Sequence, residues 1–147
     1  MREKDNYSIS CDKSTLDFDV IHRFISEESY WGKGRRREVM EIAIANSTIC
    51  YGVYLTDDCS SRQIGFARVL SDLATFGYIC DVFILPEHRG KGLGKWLVET
   101  IVANPQLKNL RRITLFTQTP DFYNDTGFVI LDQTTSLSKF LVRSSSA

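Results

Sequence analysis

The sequence predicts an α/β (α+β) domain: a mixed, mostly antiparallel sheet with helices on its faces. Three observations predict it. Strand-like and helix-like periods follow one another in the order β-α-α-β-β-β-α-β-α-β-β along the chain. Phe76–Leu85 is a long run that is apolar on both faces, as a central strand requires, and Pro86 stops it because proline cannot donate to a ladder. Arg89–Gly94, R-G-K-G-L-G, then stands between that strand and an amphipathic helix.

Bulk composition sets the class. The 147 residues suffice for one domain, 1–147, with 143–147 expected to fray. Hydrophobic residues make up 43% and charged residues 24%, which is a globular balance rather than a disordered one. Eighteen Lys and Arg offset eighteen Asp and Glu, which argues against a dedicated nucleic-acid binder. No apolar run approaches the roughly 18 residues of a membrane span, and no signal-peptide pattern opens the chain. Cys11, Cys50, Cys59 and Cys80 lack metal-type spacing, and His22 and His88 are far apart, so neither a disulfide framework nor a metal site is expected. A cytoplasmic protein with reduced cysteines is the expectation.

Along the chain, Tyr7–Cys11 alternates as a half-buried strand. A helix is expected near Asp17–Ser26, with Phe18, Ile21, Phe24 and Ile25 on one side. Ser29–Gly34 is a glycine-punctuated loop carrying Tyr30 and Trp31, and Arg35–Asn46 reads as a second helix with a Val39, Ile42, Ala43 repeat. Ile49–Leu55 and Gln63–Leu70 form an antiparallel pair around a polar turn at 57–61. Beyond the glycine segment, Leu93, Leu97 and Ile101 recur at helical spacing up to Asn104-Pro105. Arg112–Thr117 is a strand, Pro120–Asp125 a short helix opening on proline, and Phe128–Leu131 and Lys139–Val142 the last strands.

The glycine segment has a physical purpose. Gly90, Gly92 and Gly94 allow close approach and positive φ, and their amides, with those of Lys91 and Leu93, lie at an open helix N-terminus that favours a phosphate. Arg89, Lys91 and Lys95 add positive charge. Spacing excludes a Walker loop, since Trp96 follows Gly94-Lys95, and a Rossmann fingerprint, whose last glycine would fall on Lys95.

These residues resemble the GNAT superfamily of acyl-CoA N-acetyltransferases. Arg89, Gly92 and Gly94 match its [RQ]-x-x-G-x-[GA] signature, I-L-P-E-H matches its run-up, and Phe122–Phe128 matches its [FL]-Y-x-x-x-G-F pattern. The resemblance covers roughly residues 47–131 and implies a sheet splayed between the fourth and fifth strands. It implies acetyl-CoA as co-substrate without a metal, direct transfer to a primary amine, and dimerisation as a common habit. It places the pantetheine arm along Val82–Leu85, with backbone contacts from Phe83 and Ile84, and the pyrophosphate on Arg89–Lys95. Tyr123 would be the general acid, or would merely pack, and Asn124 would touch the cofactor. The family's usual N-x-x-A is replaced by Gln118-Thr119-Pro120.

Asp81 interrupts an apolar strand, so it either serves the chemistry as base or acceptor anchor, or it hydrogen-bonds neighbouring backbone or forms an ion pair with Arg68. The acceptor is expected to meet Tyr30, Trp31, Arg36 and Phe76, or these residues are ordinary surface. A small-molecule amine leads as acceptor, because no acidic stretch that would attract a basic peptide is evident. The rival functions are a protein acetyltransferase and a non-catalytic acyl-CoA-binding module.

Overall fold

Strand pairing follows the chain, and the computed structural model describes it for residues 2–130 and 141–144. Strands β1 (Arg2–Lys4), β2 (Tyr7–Ser10), β3 (Ile49–Asp57), β4 (Ser60–Ser71), β5 (Phe76–Ile84) and β6 (Arg112–Thr114) form one sheet in the order β1-β2-β3-β4-β5-β6. All neighbours are antiparallel except β5 and β6, which are parallel. A parallel pair needs a crossover, and helix α3 (Leu93–Val102) supplies it. The sheet is thus mixed and mostly antiparallel, as expected.

Helices cover both faces. Leu93, Trp96, Leu97 and Ile101 of α3 close one core over Tyr51, Val53, Ile79 and Ile84. On the other face, α1 (Phe18–Arg23), a π-turn at Phe24–Glu28 and α2 (Arg37–Ala45) pack Ile21, Phe24, Ile25, Met40 and Ile44 onto Cys50, Phe66 and Phe83. Asp17 starts α1 by accepting from the amides of Asp19 and Val20. In α2 the buried pair is Met40 and Ile44, whereas Val39 and Ile42 are exposed. The helical period was legible there, but its phase was set by docking onto the sheet.

The sheet opens where the family resemblance implies. Because β1 precedes the first expected strand, the expected fourth and fifth strands are β5 and β6. They pair only over Phe76–Tyr78 and Arg112–Thr114. Strand β6 ends at Thr114, three residues before its expected end, so Ile79–Ile84 has no strand on that side among the described residues. Phe128–Ile130 and Leu141–Val142 are irregular rather than strands; Leu131, Lys139 and Phe140, the rest of those two expected strands, lie outside the described residues, as do 145–147 of the expected tail.

A bulge marks the middle of the open stretch. Phe66 pairs with Phe83 but Arg68 with Cys80, so Asp81 and Val82 together oppose Ala67. Asp81 takes the extra position with φ of 54°, a left-handed conformation that aspartate tolerates better than most residues. The extra residue changes the phase of the strand: Ile79 before it and Ile84 after it face the same core. Regular alternation would have sent the carboxylate toward α3. Instead it shares a face with Arg68.

Candidate active site

The loop after β5 is built to leave helix α3 uncapped. Pro86 starts a 3-10 turn (Pro86–His88), and Gly90 and Gly92 take φ of 80° and 76°. Gly92 is the N-cap and has no side chain, so among the described residues no side chain caps the first-turn amides of α3. Lys4 reaches this point from β1: a Cβ placed on Gly92 would lie 3.3 Å from its Nζ. Lys91 Nζ donates to Tyr7 Oη at 3.4 Å, and Tyr7 Oη bonds His88 Nδ1 at 2.9 Å. Open amides at a helix start with lysines beside them fit a pyrophosphate.

Not every residue of the segment faces outward. Arg89 Nε donates to the Ile84 carbonyl at 2.9 Å and its guanidinium lies over the Phe24 ring, which pins the loop to the end of β5. Leu93 is buried, so it offers its backbone alone. Lys95 sits 3.9 Å from Glu99 on the helix surface. At Gly94 the missing side chain makes room for an aromatic ring, since a Cβ there would fall 2.6 Å from Phe122 Cε2. His88 is buried. Burial first, then the charges of Arg62 and Lys91, hold its pKa below the usual histidine value.

Phe83 and Ile84 lie on the unpaired stretch of β5. Phe83 stacks on Phe24 with centroids 4.2 Å apart, while the Ile84 side chain enters the α3 core. Gly65 opposite Ile84 lets the strands close, because a Cβ would meet the Phe83 carbonyl at 3.0 Å.

Asp81 is saturated. Its Oδ1 accepts from Trp31 Nε1 at 2.8 Å, and its Oδ2 accepts from both Arg35 Nη1 at 2.8 Å and Arg68 Nε at 2.7 Å. The ion pair with Arg68 that the sequence left open is therefore present, with Arg35 added. Burial pushes the Asp81 carboxyl up, but the charge and hydrogen bond of Arg68, then those of Arg35, outweigh it and leave the pKa below the ordinary value.

Trp31 carries the arrangement across the opening. Tyr30 meets its ring edge-on at 5.0 Å, and Tyr30 Oη accepts the Gln118 amide at 2.7 Å. This ties the loop between the π-turn and α2 to the segment after β6. Tyr123, in the 3-10 turn Pro120–Tyr123, is buried beside Phe122 and Phe128. Burial, and secondarily the neighbouring Tyr30, push its pKa up to about 12, so the hydroxyl stays protonated. Asn124 is exposed just past the same turn, its amide donating to the Asp121 carbonyl at 3.2 Å.

The structure thus gathers Tyr30, Trp31, Asp81 and Tyr123 along the opening. It does not gather Arg36 or Phe76. Arg36 is exposed and paired with Glu38 at 2.6 Å. Phe76 opens β5, five residues from Asp81, or roughly 16 Å along a strand. Sequence reasoning singled out the arginine cluster at 35–37 but chose Arg36 from it rather than Arg35, and it missed Lys4. The run Arg35-Arg36-Arg37 gives no signal as to which arginine turns inward; Arg35 follows directly on Gly34, whose φ is 76°.

Comparison with known proteins agrees with this geometry. Residues 46–130 match the family model described as the acetyltransferase (GNAT) domain. A candidate GNAT-family acetyltransferase from Xanthomonas campestris pv. campestris has a solved structure that superposes with a TM-score of 0.80. It is 39% identical, over 95% of this chain and 96% of that one. The candidate acetyltransferase FG08082 of Gibberella zeae is 31% identical over 76% of this chain and 72% of its own length. The uncharacterized N-acetyltransferase ycf52 of Pyropia yezoensis is 35% identical over 67% of this chain, but only 58% of its own length is matched. With the open strand, the glycine-capped helix and these matches together, the chain belongs to the GNAT family of acetyltransferases.

Proposed function

We propose that this protein moves the acetyl group of acetyl-CoA directly to a primary amine on a small molecule. One observation carries the reading: the edge of β5 over Ile79–Ile84, unpaired among the described residues, leads through the 85–92 loop to the start of α3, where Gly92 offers no capping side chain. A linear arm can add to such an edge as a strand would, while its phosphates take the helix amides. Phe83 and Ile84 would bind the arm, and Gly90–Gly94 with Lys4 and Lys91 its phosphates. Bound acetyl-CoA supplies the activated acetyl thioester.

The chain's own residues then divide the work. Tyr123, protonated at any ordinary pH, holds the proton that the departing sulfur needs as the C–N bond forms and the C–S bond breaks. The proton lost by the amine goes to solvent. Asp81, engaged by three donors, acts by fixing Trp31 and Arg35 rather than by taking that proton. Tyr30 and Trp31 wall the acceptor side.

Calorimetry and a thiol-release assay over a panel of amines test the proposal. Acetyl-CoA should bind, and the absence of binding at high micromolar ligand refutes the donor assignment. Turnover with lysine-containing peptides alone would establish a protein acceptor instead; binding without release from any acceptor would leave a binding module. Tyr123→Phe should lower kcat by about a hundredfold while acetyl-CoA affinity stays within about twofold. The wild-type rate should not fall as pH passes 10, because the Tyr123 pKa of about 12 lies above that range.

A further inference from the structure

We infer that the acetyl acceptor carries an anionic group, a carboxylate or a phosphate, which is held by Arg35 beside Asp81. The inference rests on the proposed acetyl transfer and names the class of its acceptor.

The reasoning starts from the charge count at the β5 bulge. Arg35 and Arg68 both donate to one oxygen, Oδ2 of Asp81, while Oδ1 is taken by the uncharged indole of Trp31. Two guanidinium groups therefore sit a few ångströms apart with one carboxylate between them, and the cluster keeps a single positive charge. Its side chains are 19%, 14% and 3% exposed for Arg35, Arg68 and Asp81, so water compensates that charge poorly. The described residues form no second ion pair with either arginine.

The donors point the same way. Arg68 also reaches Ser47 Oγ at 3.4 Å, which turns it into the protein. The Arg35 guanidinium spends one donor on Asp81, and its other N–H groups have no partner among the described residues. Gly32 lets this guanidinium lie flat against the loop, since a Cβ there would meet Arg35 Nη2 at 3.3 Å. A planar, partly buried guanidinium with an open edge recognises a carboxylate or phosphate in a fork. It repels a polyamine or a lysine-rich peptide. Tyr30 and Trp31 beside it give the remainder of such an acceptor an aromatic wall.

Matched amine pairs test this. An amino acid is compared with its carboxamide, and an aminosugar phosphate with the free aminosugar, by thiol release at saturating acetyl-CoA. The anionic member should be favoured by about tenfold to a hundredfold in kcat/KM, mostly through KM. Arg35→Gln should collapse that ratio toward one, and Arg35→Lys should retain part of it. Acetyl-CoA calorimetry on each variant confirms that it is folded. Equal or better use of the neutral members, a preference for polyamines, or a ratio that survives Arg35→Gln overturns the inference. If no amine releases thiol although acetyl-CoA binds, the acetyl-transfer reading fails by itself. The same ratio, measured as calorimetric binding of each pair to the CoA-loaded protein, then decides the inference.

Discussion

Replacing Asp81 by asparagine removes the only negative charge from a cluster that holds two positive ones. Asparagine is nearly isosteric and tolerates the left-handed φ of 54°, so the bulge itself survives. What is lost is the anion that Arg35 and Arg68 share at 2.8 and 2.7 Å. Removing one partner from a buried ion pair costs about 3–5 kcal/mol. Here the arginine side chains are 19% and 14% exposed, so solvent relieves part of that, and about 2–4 kcal/mol remains. At about 2 cal/mol/K per residue, a chain of 147 residues loses about 3 °C of Tm per kcal/mol. Asp81→Asn should therefore melt about 6–12 °C below wild type.

Asp81→Ala also loses the Trp31 acceptor and pays the left-handed penalty, which adds about 2 kcal/mol. The pH dependence supplies an independent check. Folding lowers the Asp81 pKa, so its stabilisation is complete above the ordinary carboxylate range of about 4 and is lost as pH falls through the lower folded value. Melts of the three proteins from pH 7 down to 3 should show a shallower acid limb in both variants. A melting point for Asp81→Asn within about 2 °C of wild type would refute the reasoning. So would an Asp81→Ala protein no less stable than Asp81→Asn.

Two other perturbations probe the donor side. His88 has a folded pKa below its unfolded one, so its contribution is present above the ordinary value of about 6.5 and is lost as pH falls from there through the folded value. His88→Gln should flatten that part of the stability profile, and an NMR titration showing an unshifted imidazole would contradict the burial argument. Gly94→Ala drives a methyl group into the Phe122 ring, next to Tyr123. It should depress kcat by about tenfold with less effect on acetyl-CoA affinity; a variant with wild-type kcat would show that the ring moves aside freely.

Much of the donor side was written in order along the chain. The apolar run ending at Ile84, Pro86 and the glycines at 90 and 92 act within a dozen residues, and local backbone preference is what sequence expresses best. Leu93, Leu97 and Ile101 likewise predicted α3 and its buried face. Helix α2 shows where such reading stops: its period was plain, but Met40 and Ile44 were buried in place of Ile42, because the phase depends on what the helix lands on.

The acceptor side was decided by tertiary structure. A one-residue bulge turned Asp81 from one face of β5 to the other, and no local pattern in a strand apolar on both faces reports a bulge. Of three adjacent arginines only Arg35 reaches the carboxylate, 46 residues away, while Arg36 faces Glu38. Lys4 meets Gly92 only because β1 folds back beside β2. By itself the sequence determined which ligand chemistry the α3 terminus suits, since that depends on backbone conformation over adjacent residues. Which charges confront one another across the open sheet depended on register and on long-range contacts, and those exist only in the folded chain.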